Sequence, residues 1–315
     1  MSRKRLILLL QIVLLTAMVV FLTVEVRSSW GDLKPRLEEI DYTHVVAAAT
    51  ILASYYLIFV VGWVLILRAL DMRIGYADAV GAEMLSMLAK YIPGGVWTPA
   101  ARVVAAKRLG LPAGPVLASV GYEAGLSAIS GVIVFALALS YAPAVDLPVP
   151  LWLIIGFAAL LVVLLHPRIY GPAADRLLKR LGDEPIPRLP MHSTLGVLGF
   201  YGVTWLIGGL ALRQMALAFG ADVPLSAISY LGGASALGAI VAVLVVFAPS
   251  GLGVREGAVY ALLLAYVDPA TALVVVALNR VLLTAVEALL LGGVVVVRRL
   301  RAQPLVEPEP EPVRE

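Results

Sequence analysis

The sequence predicts an all-α polytopic membrane protein with six full transmembrane helices plus two re-entrant helical hairpins, arranged as an inverted-topology repeat. Three observations lead there. The chain of 315 residues is 61% hydrophobic and only 14% charged, against about 25% charged in soluble domains. Apolar runs of about 18 residues or more recur along it. Two of the apolar stretches are interrupted by Pro and Gly, and the distribution of Lys and Arg places both ends of each interrupted stretch on one face.

Arg3, Lys4 and Arg5 precede an apolar run from Leu6 to Val24. It is too long for a signal-peptide core and no small-x-small site follows, so it reads as a retained first span with a cytoplasmic N-terminus. The acidic stretch from Glu25 to Thr43 suits an outer loop, and Val45 to Leu67 returns inward to Arg68 and Arg73. Gly75 to Gly110 is not a clean span. It reads as a helix to Ile92, a break at Pro93, Gly94 and Gly95, and a short helix ending at Arg102, Lys107 and Arg108. Basic residues at both ends make it a hairpin that enters from the cytoplasm and returns. Irregular backbone at that depth is tolerated only inside protein or beside a wet cavity.

Val116 to Tyr141 crosses outward, Pro143 to Pro150 turns outside and Leu151 to Leu165 comes back to a long basic loop, Pro167 to Met191. Leu195 to Leu212 goes out again. The unit from Leu225 to Val267 is broken at Pro249, Ser250 and Gly251 and is expected to enter from outside, because the last span, Ala270 to Val297, ends in Arg298, Arg299 and Arg301. Both termini are therefore expected in the cytoplasm of a multi-pass cell-membrane protein. Residues 1–302 form one membrane domain, with repeats at 6–142 and 151–297, and 303–315 is an acidic, Pro-rich tail of disordered composition. The offset that lays Pro93 on Pro249 also lays Gly95 on Gly251 and Glu123 on Asn279, one position before Arg280.

Composition also excludes much. There is no cysteine, so thiolate chemistry and Cys metal sites are absent. His44, His166 and His192 lack the spacing of a helical metal pair. No metal or cofactor is expected. The isoelectric point near 9.1 reflects bases at the ends of apolar segments, a topology signal and not a nucleic-acid footprint.

Inverted repeats with broken helices at the midplane are a transporter architecture. A short helix that starts after a Pro-Gly turn aims unpaired N–H groups and a positive dipole end into the protein, where they can hold a phosphate. Pro93, Gly94, Gly95 and Arg102 at the first break, and Pro249, Gly251, Gly253, Arg255 and Glu256 at the second, are the candidate ligands, with Glu123, Asn279 and Arg280 between the halves. Arg255 is the expected anion ligand, since it adds a fork of donors to the helix end; a local pair with Glu256 is the structural alternative. Charged groups at a helix centre in the membrane cost roughly 2.5–3.5 kcal/mol on insertion scales. Glu123 lies in Gly121-Tyr122-Glu123-Ala124-Gly125, a small-xxx-small frame that turns it toward another helix. Its expected partner is Arg280, with Glu287 as a second partner for Arg280. Lys90 is expected to snorkel to the interface, and Glu83 has no assigned role.

Tyr91-Ile92-Pro93-Gly94-Gly95 with Arg102, and Pro249-Ser250-Gly251-Leu252-Gly253-Val254-Arg255-Glu256, resemble the lysylphosphatidylglycerol synthase transmembrane-region family, by plan over roughly residues 6 to 300. In that family the membrane region fused to an aminoacyl-lipid synthase is regarded as the flippase for the modified lipid. This chain has no soluble acyltransferase half, so lysyl transfer is not implied. Glu123-Ala124 stands where the family tends to carry Glu-Arg. The expectation is a non-enzymatic transporter or flippase for an anionic phospholipid or lipid-linked precursor. Its partners are membrane lipids and a lipid-modifying synthase or glycosyltransferase, with no nucleic acid; the oligomeric state stays open. An intramembrane enzyme on a polyprenyl phosphate or glycolipid is the alternative, disfavoured because no acid–base pair or Asp-rich metal motif is spaced for it. A small-solute carrier is another.

Overall fold

The computed structural model describes residues 38–91, 96–140, 142, 151–166, 168–170, 172, 176, 188–244 and 253–300. Among them every regular element is helical: α1 Tyr42–Ala69, α2 Tyr76–Met87 with a 3-10 turn Leu88–Tyr91, α3 Trp97–Lys107, α4 Ala113–Ala138, α5 Leu151–Leu165, α6 Met191–Ala218, α7 Ile228–Leu244 led in by a 3-10 turn Leu225–Ala227, α8 Val254–Leu263 and α9 Pro269–Leu300. Five segments are long and apolar enough to cross a bilayer: Tyr42–Ala69, Ala113–Ala138, Met191–Ala218, Leu225–Leu244 and Pro269–Val297, with mean hydropathy between 1.7 and 2.2. The protein is a multi-pass helical membrane protein.

The span list differs from expectation in two places. Helix α5 has 15 residues, about 22 Å of helix against a core of about 30 Å. Leu225–Leu244, expected as one arm of a hairpin, is by itself long enough to cross. The expected first span, Leu6 to Val24, lies outside the described residues, as does the tail.

Helices α2 and α3 are short, with 12 and 11 residues, and pack against each other. Helices α7 and α8 run antiparallel. The Tyr230 hydroxyl, near the start of α7, donates to the Leu262 carbonyl near the end of α8 at 3.1 Å, while Gly238 sits against Arg255 and Val259 at the start of α8.

The centre is built from α1, α4, α6 and α7. Between α6 and α7 the backbones touch: a methyl group at Gly209 would overlap the Ile228 carbonyl, and one at Gly232 the Trp205 carbonyl. Small residues permit that approach in helices that gain no hydrophobic driving force from lipid. Indole donors fasten neighbouring helices. Trp63 Nε1 donates to Ser119 Oγ at 2.9 Å, tying α1 to α4, and Trp205 Nε1 donates to the Ser127 carbonyl at 2.8 Å, tying α6 to α4. At the start of α1, Asp41 caps the helix by accepting the Thr43 N–H at 2.8 Å. That hydrogen bond holds the Asp41 carboxyl below its usual range.

Candidate polar site inside the helix bundle

The polar residues at depth collect into two clusters. The first joins α2, α3 and α4. Arg102, on the short helix α3, meets Glu123 of α4 through a hydrogen-bonded ion pair and Glu83 of α2 through a close ion pair without hydrogen-bond geometry. All three are buried, with 5%, 4% and 1% of their surfaces exposed. The guanidinium also lies 5.1 Å from the centre of the Trp63 ring on α1, a favourable cation–π geometry. Buried charges persist only when paired, and Arg102 supplies the cation for both carboxylates. Glu83 Oε1 and Arg102 Nε are buried without hydrogen-bond partners among the described residues, as is the Tyr201 hydroxyl of α6. Tyr201 lies within electrostatic range of all three charges.

Glu123 faces another helix as expected, but not on the side of Gly121 and Gly125, which are two positions away and about 200° round the helix. They face Tyr170 and Leu165 at such close range that a Cβ on either would overlap them, and the Tyr170 hydroxyl donates to the Ala118 carbonyl at 2.8 Å. With one face of α4 closed by those residues, Glu123 turns to α3.

The second cluster joins the 3-10 turn after α2 to α1, α8 and α9. Glu287 of α9 accepts from Lys90 and from the Tyr56 hydroxyl. Arg280 Nη1 donates to Glu256 Oε1 at 3.2 Å, and Glu256 Oε2 accepts the Gly253 N–H at 2.7 Å. Gly253 has φ +84°, a left-handed conformation that glycine adopts without a steric cost. The Arg255 Nε is buried with no hydrogen-bond partner among the described residues. Lys90 lies within electrostatic range of both Arg255 and Arg280, and Arg255 within range of Tyr55 and Tyr56. This cluster thus holds three cations against two carboxylates.

Several expected pairings are corrected. Glu123 does not pair with Arg280: its partner is Arg102, carried to it by α3, which packs on α4, while Arg280 is taken by Glu256. Arg280 binds Glu256 and not Glu287. Lys90 does not extend to the interface; the turn after α2 carries it onto Glu287. The local Arg255–Glu256 pair is absent among the described contacts, since Glu256 is committed to Arg280 and to the helix cap. That commitment also removes the Gly253 N–H from the donors open to a ligand. Asn279 is half-buried beside Arg280 on α9. Pro93, Gly94, Gly95, Pro249 and Gly251 lie outside the described residues.

The site missed in the sequence is Glu83. Its signal was depth: Glu83 from the start of α2, Arg102 from the end of α3 and Glu123 from the start of α4 are each about 8–15 Å of helix away, and one basic loop system joins those ends. Among the described residues no group of three or more His, Asp or Glu is placed to hold a metal ion.

A cavity of about 320 Å³ opens beside the second cluster, lined by Leu57 and Tyr76 and by Leu290, Gly293, Val294 and Val297 of α9, among others. Leu57 follows Tyr56, and Leu290 is three residues past Glu287, so the apolar cavity ends next to the polar cluster.

Residues 8–292 match the family model of the lysylphosphatidylglycerol synthase TM region. The chain belongs to the lysylphosphatidylglycerol synthase TM-region family. The match covers both broken segments and both polar clusters of this family member. A comparison with curated proteins gives no match.

Proposed function

We propose that this protein is a lipid transporter, a flippase that moves an anionic phospholipid or lipid-linked precursor between leaflets and performs no chemistry of its own. One observation carries the reading: Arg255, at the first turn of α8, presents a guanidinium whose buried Nε has no protein partner among the described residues. A cation kept in a membrane interior at a cost of a few kcal/mol and left without a full set of acceptors needs an anion. A phosphate oxygen supplies acceptors that fit guanidinium donors, and the N-terminal end of α8 adds a positive dipole. The mostly apolar cavity between α1, α2 and α9, whose lining also includes Asp78, suits an acyl chain.

The arrangement also supports the inverted-repeat reading. In each half one ion pair ties the second short helix to the following span: Arg102 to Glu123 in the first, Glu256 to Arg280 in the second. The positions nearly correspond under the repeat offset, and the signs are exchanged. Depth agrees as well. Lys90, Glu287 and Tyr56 meet although they sit on different helices, and each is about 20 Å of helix from Tyr76, Leu300 and Ala69 respectively. The basic residues that flank the ends of α1 and α9 fit those two ends to the cytoplasmic face. On this reading α2 and α3 form one re-entrant hairpin and α7 and α8 the other. Both termini are cytoplasmic, and a separate lipid-modifying synthase or glycosyltransferase supplies the substrate.

The test is reconstitution. Movement of fluorescent phosphatidylglycerol across liposome leaflets is expected with wild-type protein and lost with Arg255→Ala at unchanged folded yield. Equal movement of phosphatidylcholine and phosphatidylglycerol in wild type, or undiminished movement in Arg255→Ala, overturns the reading.

A further inference from the structure

The cluster of Glu83, Arg102 and Glu123 has no part in the anion site just described, and its charges do not balance. Two carboxylates face one guanidinium in a setting from which water is almost entirely excluded. A buried charge without compensation is either paired or neutralised, and two carboxylates held beside one another seldom ionise together unless cations match them. Among the described residues, the groups facing the cluster from neighbouring helices offer no second cation at contact range. Helix α1 presents the Trp63 ring and, further off, Tyr55, and α6 presents Tyr201. The next cation is Arg255 of α8, which shares Tyr55 as a neighbour with the two carboxylates. Tyr55 lies within electrostatic range of Arg255, Glu123 and Glu83 together, so it marks the bridge between the two clusters. One cluster thus carries a surplus carboxylate and the other a surplus cation, with Tyr55 of α1 between them.

We propose that Glu83, Arg102 and Glu123 form a proton-binding site, one proton shared by two carboxylates, whose occupancy is linked to the anion bound at Arg255. The linkage rests on the lipid-transport reading; the proton site does not. When a phosphate neutralises Arg255, the surplus carboxylate loses its distant counter-charge. A proton from water then binds a Glu83 or Glu123 oxygen, and the bound anion and proton together leave the membrane interior neutral. Glu83 Oε1, which has no partner among the described residues, is the acceptor placed to take it. Thermodynamic linkage makes the effect reciprocal: protonation tightens anion binding by the factor by which the anion tightens protonation. A proton gradient can then drive the lipid, in the manner of a symporter.

Two measurements test this. In weakly buffered micelles with a pH indicator, short-chain phosphatidylglycerol is expected to bind wild-type protein with uptake approaching one proton per lipid. Glu83→Gln and Glu123→Gln are expected to bind the lipid without uptake, since each leaves one carboxylate matched to Arg102; either variant suffices if the other fails to fold. Binding by wild type without uptake overturns the linkage and leaves lipid transport intact.

The second measurement needs no lipid. Arg255→Gln removes the balancing cation permanently, so its infrared spectrum near neutral pH is expected to show a protonated-carboxyl stretch that is absent in Arg255→Gln with Glu123→Gln. No such band in Arg255→Gln overturns the proton site. Its presence, with no phosphatidylglycerol binding by wild type, supports the proton site and rejects the lipid reading alone.

Discussion

Replacing Arg102 with Met keeps most of the side-chain volume and removes the charge from the only cation in contact with Glu83 and Glu123 among the described residues. Removing one partner of a buried ion pair costs about 3–5 kcal/mol, because the orphaned charge stays buried. Two pairs break here, yet the cost does not double, since each carboxylate escapes by taking a proton. Loss of the guanidinium above Trp63 adds about 1–2 kcal/mol. A total of roughly 4–7 kcal/mol, at roughly 1.5–2 °C per kcal/mol for a chain of 315 residues, lowers the melting temperature by on the order of 6–14 °C. The assay is thermal unfolding in mild detergent, followed by tryptophan fluorescence, because Trp63 reports on the cluster directly. The charge account makes a second demand. Arg102→Met combined with Glu83→Gln and Glu123→Gln leaves no buried charge in the cluster and should regain more than half of the loss. A shift below about 3 °C in Arg102→Met, or a triple variant no more stable than the single one, would show that the cluster does not hold α3 to its neighbours.

Other expectations follow from the same geometry. Glu123→Gln and Arg280→Gln belong to separate clusters, so their stability effects should add within about 0.5 kcal/mol; Glu256→Gln and Arg280→Gln share a pair and should couple by more than that in chemical unfolding. Single cysteines at the exposed positions 107 and 222, introduced into a chain with none of its own, should react with impermeant reagents from opposite faces of the membrane; labelling from one face would break the proposed topology. Asp41 has a depressed carboxyl pKa in the folded protein, so its contribution to the start of α1 is full above the ordinary carboxylate range and is lost as pH falls through the folded value. Protection of the Thr43 amide, which donates to Asp41, measured relative to its intrinsic exchange rate, should therefore fall at low pH in wild type and be low at every pH in Asp41→Ala.

The spans were legible because their signal is one-dimensional. A run such as Val45 to Leu67 or Ala270 to Val297 has to match the bilayer whatever its neighbours do, and each appears as a helix. The direction of Glu123 was only half legible, since Gly121 and Gly125, two positions to either side and about 200° round the helix, mark the face packed on Leu165 and Tyr170, and Glu123 lies on the opposite one. Which cation it meets depends on rotation and depth between helices, and those are set by contacts such as Gly209 against Gly232 that no local pattern displays. Symmetry misled as well. It placed Glu123 opposite Arg280, whereas each half closes its own ion pair. Lys90 and Glu287 are nearly two hundred positions apart, and only counting residues from the ends of α2 and α9 reveals that they share a level.

The two ion pairs that fasten the short helices differ in how dry they are. Arg102 and its partners are sealed, with side chains 5% or less exposed for Arg102 and Glu83, whereas the Glu256 and Arg280 side chains are 18% and 23% exposed and meet at 3.2 Å. A clasp already wetted loses little when water takes over its hydrogen bonds; a dry one has no such substitute. The protein is therefore mechanically lopsided. Thermal fluctuation opens the α8–α9 clasp first and most often, and the α3–α4 clasp moves only when something changes its charge. In the proposed flippase, opening on one side would then follow temperature and opening on the other a change of charge.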